Sequence, residues 1–308
     1  MYRKLPTLKQ LRYLVALDQT RHFGKAAEQN FVSQSAFSVG IKELETLLET
    51  QLVDRTHKSV ALTDEGRQFA ARARGVIEEV EAMVDAVRGQ GEPLTGSLKL
   101  GVIPTIAPFL LAPLMPALAS RYPQLKLFIR EEQTRRIYAE LLSGELDLLL
   151  LALPWDLGHV ETRVLFSDPF VLAYHRDSSH FEGKAYAPEN LPPQSVLLLE
   201  DGHCLRDHAL AACELDSPSA ISDFKVSSLQ TLVQMVNEDL GLTFLPQMAL
   251  ASGLLKGTEI ATLPIPGRAS RDIGLAWRQG SARAREFELF GEVIQTIHAR
   301  LIESTNHK

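Results

Sequence analysis

Between Asn30 and Ser33 the apolar spacing of a helix breaks off and then restarts, and this interruption limits the start of the chain more than any other feature. Upstream, a short helix is expected from about Phe23 through Ala26 and Ala27 to Gln29. Downstream, Ser33 stands as the N-cap of a helix with apolar positions Phe37, Ile41, Leu44 and Leu48. An earlier helix opens on Thr7-Leu8-Lys9-Gln10, a capping-box pattern, and runs through Leu8, Leu11, Leu14 and Val15. Three short helices with a tight turn before the third are helix-turn-helix geometry.

The apolar steps of the third helix leave Gln34, Ser35 and Ser38 facing outward near its start, next to Ser33. Gln and Ser hydroxyl and amide groups hydrogen-bond base edges in a major groove. Lys42 lies further along, and Arg55 and Lys58 follow in a short, basic, β-compatible stretch from Val53 to Leu62 that suits a wing; all three are placed to reach phosphates. Residues 1–60 hold 9 Lys and Arg against 6 Asp and Glu, while the rest hold 23 against 32, so a basic head is joined to an acidic body. The same spacings also suit a small helical packing unit with a solvated polar face.

Thr63 caps the next helix, with Asp64 and Glu65 in its first turn, where the helix dipole favours acids. Its apolar positions Phe69, Ala73, Val76, Val80, Met83 and Val87 alternate steps of four and three, a heptad seam, and Gly89 and Gly91 end it. At roughly 27 residues it would span about 40 Å. Such a seam needs a partner, either a second copy of the helix in a dimer or the helix's own domain.

The chain's 308 residues allow about two domains. From Ser97 the pattern becomes alternating strand and helix: Leu98, Leu100 and Val102 in one strand, Lys126 to Arg130 in a second, Leu146 to Leu153 in a third, with helices to about Ser120 and from Thr134 through Tyr138 and Leu142. The expectation is an α/β doubly wound sheet. The chain leaves this layer near Pro154 and Trp155, returns near Ile273 to Trp277, and ends on an amphipathic helix through Phe287, Phe290, Val293, Ile294 and Ile297. That makes two lobes, lobe I about 95–154 and 273–308 and lobe II about 155–272, behind a head at 1–62 and a linker helix at 63–91. Thr105 and Thr134 sit where strands give way to helices, the usual ligand position in such sheets, although a plain N-cap role suits each as well.

The two cysteines share one stretch, Glu200-Asp201-Gly202-His203-Cys204-Leu205-Arg206-Asp207-His208 to Cys213, and Leu205 to Glu214 reads as helix. Cys204 at a helix start, beside His203 and Arg206, is expected to have a lowered thiol pKa. Nine residues of helix span about 13.5 Å, whereas a disulfide needs Cα atoms about 4.4–6.8 Å apart, so a Cys204–Cys213 bond requires this helix to unwind. Inert thiols, a metal site made by His203, Cys204, His208 and Cys213, and redox chemistry remain open readings of the pair.

The N-terminus lacks the apolar run of a secretory signal and no stretch reaches the ~20 apolar residues of a membrane span, so the cytoplasm is expected, with no membrane partner.

Ala26-Ala27-Glu28, then Val32-Ser33-Gln34-Ser35-Ala36-Phe37-Ser38, then Ile41, Leu44 and Glu45 resemble the LysR-type transcriptional regulators. Arg55, Lys58, Val60, Leu62 and Thr63 match that family's wing, with Lys58 where arginine is more usual and Val53 where phenylalanine is common. The resemblance implies a winged helix-turn-helix that binds double-stranded DNA through Ser33, Gln34, Ser35, Ser38, Lys42, Arg55 and Lys58, a dimerising linker helix, and a two-lobed effector domain resembling periplasmic binding proteins. The stretch Leu199 to Asp207 with Cys213, together with Ile103-Pro104-Thr105, Glu132-Gln133-Thr134, Ser228-Leu229-Gln230-Thr231-Leu232 and Leu245-Pro246, is similar to the hydrogen-peroxide-sensing OxyR subgroup. That similarity implies Cys204 as the peroxide-reactive thiol and Cys213 as the resolving one. It implies Thr105, Thr134 and His203 around the peroxide, Arg206 and Asp207 shaping local charge, and Arg278 nearby in the network of the oxidised state. It further implies a homotetramer, RNA polymerase and a glutaredoxin- or thioredoxin-type reductant as partners, with no cofactor, no metal and no enzymatic turnover. A histidine expected between Cys213 and Ser227 is replaced, Asp223 being the nearest counterpart.

Overall fold

A computed structural model of the chain describes residues 4–55, 60–87, 93–155, 158, 160–181, 185–213, 218–267 and 269–306. Two compact units emerge, residues 1–91 with 142–145, and residues 92–141 with 146–308.

In the first unit, α1 (Leu8–Thr20) opens on the expected capping box: Thr7 Oγ1 accepts the Gln10 N–H at 3.2 Å and Gln10 Oε1 accepts the Thr7 N–H at 3.0 Å. The helix α2 (Phe23–Gln29) and the tight turn lead to α3 (Gln34–Leu48), which starts on Ser33 with Oγ accepting the Ala36 N–H. Tyr13, Leu14, Leu17, Phe37, Ile41 and Leu44 form the heart of this core, with the Tyr13 and Phe37 rings stacked at 4.5 Å. The face of α1 differs from the spacing-based expectation: Leu8 is exposed and Val15 half-buried, while Tyr13 and Leu17 are buried. The cause is that α1 packs on α2, α3 and a fourth helix at once, which widens its buried stripe.

The wing is a two-stranded antiparallel ribbon, β1 (Val53–Arg55) on β2 (Val60–Leu62), with Asp54 opposite Ala61. The linker helix α4 (Asp64–Val87) follows, its start capped by Thr63 Oγ1 accepting the Gly66 N–H at 3.0 Å. Its seam divides: Phe69 packs against the head's core and Ala73 is buried, with α4 packed on α1, whereas Val76 and Met83 further along are exposed. The expected end at Gly89 and Gly91 lies outside the described residues.

In the second unit the order is β3 (Gly96–Val102), α5 (Ala107–Arg121), β4 (Leu125–Glu131), α6 (Thr134–Leu142), β5 (Leu148–Leu153), β6 (Val160–His175), α7 (Cys204–Ala212), α8 (Leu229–Asn237), β7 (Thr243–Pro246), α9 (Gln247–Ala251), β8 (Ile260–Pro264), β9 (Ser270–Arg278) and α10 (Ala284–Asn306). Strands β4, β3 and β5 are parallel, as the strand–helix alternation predicts, and β9 adds antiparallel to β5. The long β6 serves two regions: Val160–Pro169 pairs with β9, and Phe170–His175 pairs with β7 and β8. Every residue of β5 is buried, as its unbroken apolar run requires. Phe287, Phe290, Val293, Ile294 and Ile297 of α10 are all buried, matching the amphipathic reading. Among the described residues no helix is long and apolar enough to cross a membrane.

Gly66 gives a direct test of how α4 is seated. A Cβ there would lie 2.1 Å from the Leu52 carbonyl oxygen, which already accepts the Thr63 N–H at 2.9 Å. Backbone cannot retreat as a side chain does. Gly66→Ala is therefore expected to destabilise the head by about 1–3 kcal/mol despite alanine's better helix propensity. Urea titration followed by helical circular dichroism checks this, and an unchanged or raised midpoint would refute the close packing.

Candidate functional site

The outward face of the first unit begins at the turn before α3. Ser33, Gln34 and Ser35 are exposed at the helix start, Ser38 is half-buried one turn on, and Lys42 is exposed beyond it. Ser33 acts first as a cap, and its Oγ also lies 3.0 Å from Ser35 Oγ. Arg55 ends β1, and Lys58 lies outside the described residues.

In the second unit three chain segments converge on one sulfur. Ile103, Pro104 and Thr105 come from the end of β3, Gln133 and Thr134 from the start of α6, and Gly202, His203 and Cys204 from the start of α7. The crevice between them is too tight for a water molecule in this conformation. Gly202 makes the approach possible: its φ is +98°, and a Cβ would meet Gln133 Oε1 at 2.8 Å. Thr105, Thr134 and His203 are thus gathered around Cys204 as the sequence suggests.

Neither threonine caps a helix. Thr134 Oγ1 is buried without a conventional hydrogen-bond partner, and the polar group it faces is the Cys204 thiol, whose ionised form it favours. Thr105 is held by Arg271, whose Nη1 donates to Thr105 Oγ1 at 2.9 Å and whose Nη2 donates to the Thr105 carbonyl at 3.0 Å. Arg271 also grips Asp168 Oδ2 through Nε at 3.1 Å and Nη2 at 3.0 Å, and both side chains are fully buried. The other Asp168 oxygen accepts the Met248 N–H at 2.9 Å.

Three electrostatic expectations change. Burial pushes the Cys204 thiol above its ordinary value, and Asp207 adds to the rise; the Arg271 charge, the Thr134 hydroxyl and the Ala152 backbone offset it only in part. Burial also lowers the His203 pKa against the pull of Glu200 and Glu132, which favours the neutral imidazole. Arg206 turns away to Asp201 at 3.1 Å and the Leu199 carbonyl. Arg278 is not part of this cluster: its Nη1 donates to the Leu141 and Leu146 carbonyls at 2.7 and 2.6 Å. Arg271 stands at the cluster instead, on the same strand and about 23 Å away at the usual strand rise.

The helix α7 starts at Cys204, one residue earlier than the spacing suggests, and Cys213 is its C-cap. Both thiols are free and buried. A helix of this length sets them about 13.5 Å apart. Burial pushes the Cys213 thiol up to about 12, and the Tyr186 hydroxyl donates to its carbonyl at 2.5 Å. His208 faces the Pro154 carbonyl at 3.3 Å, and no group of three or more metal-binding side chains occurs among the described residues. Asp223 is exposed, and its N–H donates to Gln194.

Asp168 and Arg271 are the residues that sequence reasoning missed. They are 103 positions apart, and nothing local distinguishes Arg271 from the other arginines near β9. The local cue is a charged start, Arg271 and Asp272, to a strand whose centre, Ile273 to Trp277, is apolar. Asp168→Asn should cost about 3–5 kcal/mol by leaving the buried Arg271 uncompensated. A double replacement, Asp168→Leu with Arg271→Met, should regain most of that stability while still slowing Cys204 oxidation. Denaturant midpoints and thiol-labelling rates separate the two effects, and full recovery of both would show the pair to be mere packing.

Residues 8–67 match the family described as bacterial regulatory helix-turn-helix protein, lysR family, and residues 91–298 match the LysR substrate binding domain. The HTH-type transcriptional regulator EstR of Acinetobacter baylyi is 39% identical over 96% of this chain and 99% of its own length. The hydrogen peroxide-inducible genes activator of Escherichia coli O6:H1 is 35% identical over 94% of each. The structure of full-length OxyR from Pseudomonas aeruginosa superposes with a TM-score of 0.80 at 35% identity, covering 95% of each chain. The chain belongs to the LysR family of DNA-binding transcription regulators.

Proposed function

We propose that this regulator responds to hydrogen peroxide through Cys204 and Cys213. The observation that carries the reading is the placement of Cys204 at the first residue of α7, in a crevice with Thr105, Thr134 and His203, with Cys213 at the other end of the same helix. A relative 35% identical over nearly its full length is named for peroxide-inducible activation, which supports the reading.

The chemistry follows from the thiolate. Cys204 loses its proton and its sulfur attacks one peroxide oxygen, breaking the O–O bond and releasing hydroxide, which becomes water on protonation. Sulfur has given two electrons and become a sulfenic acid. The Cys213 sulfur then attacks it, forming the S–S bond and expelling a second water. Arg271 and the Thr134 hydroxyl stabilise the thiolate, Thr105 and neutral His203 offer hydrogen bonds to the peroxide, and Asp207 restrains ionisation. Arg206 and Arg278 are engaged elsewhere, with Asp201 and with the Leu141 and Leu146 carbonyls. The disulfide forces α7 to unwind, and the lobes, about 95–154 with 273–308 against about 155–272, repack.

The exposed second half of the α4 seam supports dimerisation of the linker and, with the effector domains, a homotetramer. Repacking changes the spacing of the heads on DNA and the contact with RNA polymerase, and a glutaredoxin- or thioredoxin-type dithiol resets the switch. A rival reading is a small organic effector bound in the inter-lobe cleft, with inert thiols; it predicts that Cys204→Ser leaves regulation unchanged, whereas the peroxide reading predicts its loss.

The test is brief exposure of reduced protein to near-stoichiometric peroxide, followed by mass spectrometry. A Cys204–Cys213 linked peptide is expected, Cys213→Ser should leave a trappable sulfenic acid, and Cys204→Ser should abolish both. Because burial raises the Cys204 thiol, its oxidation rate should keep climbing about tenfold per pH unit through neutrality and past the ordinary thiol range. Thiols that stay reduced would overturn the mechanism, and a rate that levels off near neutral pH would overturn the raised thiol pKa.

A further inference from the structure

Phe31 occupies a backbone position that normally belongs to glycine. The turn between α2 and α3 closes with the Val32 N–H on the Ala27 carbonyl at 3.1 Å and the Phe31 N–H on the Glu28 carbonyl at 3.0 Å. This is the Schellman pattern, with Phe31 at its left-handed residue. Its φ is +55°, a conformation that costs an L-residue about 1–2 kcal/mol. Asn30 reinforces the turn by donating its side-chain N–H to the Ala26 carbonyl at 2.9 Å, so the strained geometry is fixed before anything binds.

Nothing inside the unit repays that cost. Val32 turns inward against the head's core, but Phe31 is 95% exposed, the most exposed large apolar side chain among the described residues. An aromatic ring in water on a strained backbone loses on both counts in the isolated head. Its neighbours say what it is held out for: Ser33, Gln34 and Ser35 follow immediately at the exposed start of the recognition helix. The ring carries no charge, so its target is not a phosphate but apolar surface that the duplex shows beside the major groove, a thymine methyl or a deoxyribose face.

We propose that Phe31 is a DNA-contacting residue, displayed by the helix-turn-helix turn to pack on apolar duplex surface next to the bases read by α3.

The inference predicts that removing the ring helps the fold and harms binding. Full-length protein with Phe31→Gly, and separately Phe31→Asn, would be compared with wild type on a duplex selected by wild type from a random pool. The expected result is an equal or higher thermal midpoint, an unchanged oligomer size and an affinity weaker by about tenfold, of the order of one lost base-edge contact. The salt dependence should keep its slope, since no ion-pair with phosphate is removed. A second duplex with uracil in place of thymine separates the two targets: wild type weakens on it if the ring meets a methyl and is unaffected if it meets sugar. The proposal fails if the glycine variant binds as tightly as wild type, if it melts earlier, which would make the ring an internal packing group, or if its oligomer size changes, which would make it a protein–protein contact.

Discussion

Asp168 and Arg271 face each other with no exposed surface, and the second unit is arranged around that fact. Moving two charges out of water costs several kcal/mol per ion, and attraction offsets this only when the remaining donors and acceptors are also satisfied. Here they are. Arg271 spends its donors on Asp168 and on both oxygens of Thr105, and Asp168 turns its second oxygen to the Met248 backbone. The pair thereby ties β6, β9, the start of α9 and the end of β3 to one point. Such a junction tolerates little displacement, because any movement that separates the partners leaves a buried charge unpaired.

The junction matters for the thiol because Arg271 is the cation that Cys204 feels. Opposed effects meet at this sulfur. Burial favours the neutral thiol, while the guanidinium, the Thr134 hydroxyl, the Ala152 backbone and the start of a helix favour the thiolate. Burial wins, so the resting group is a protected thiol with the means of ionising already assembled around it. That combination suits the proposed peroxide response better than a fully formed thiolate, which would react with any oxidant at low concentration.

Much of this was legible in the sequence, and the boundary of legibility has a physical origin. Caps and periodicities are local, so Thr7, Ser33, Thr63, the buried run of β5 and the apolar face of α10 read directly. The gathering of Thr105, Thr134 and His203 on Cys204 followed from their positions at strand ends and from family likeness. Charge was where reading failed. Adjacency made Arg206 and His203 look like the cations of the site, but Arg206 has its own carboxylate in Asp201 and His203 is lowered by burial. The cation beside the sulfur comes from a strand far along the chain, and sequence carries no measure of which arginine on a strand points to which neighbour. Similarly, the α4 seam looks uniform in sequence, yet its start at Phe69 and Ala73 is taken up by the head.

The reduced helix itself sets how hard the proposed switch is to throw. To bring the two sulfurs together, α7 must give up its internal hydrogen bonds, including Cys213 N–H to Ala209 at 3.0 Å, and the Tyr186 bond to the Cys213 carbonyl. Leu205 and Ala209 must also leave their buried sites or carry their surroundings with them. At about 1 kcal/mol net for each lost hydrogen bond, roughly five such losses come to about 5 kcal/mol. For a two-electron couple about 1.4 kcal/mol corresponds to 30 mV, so this penalty lifts the disulfide's potential by about 100 mV relative to an unstrained bond. A structural disulfide gains from being hard to reduce. One formed at the expense of a native helix is easier to reduce, which is the property a reversible regulator needs, and here it would arise from the packing of α7 rather than from any special chemistry at sulfur.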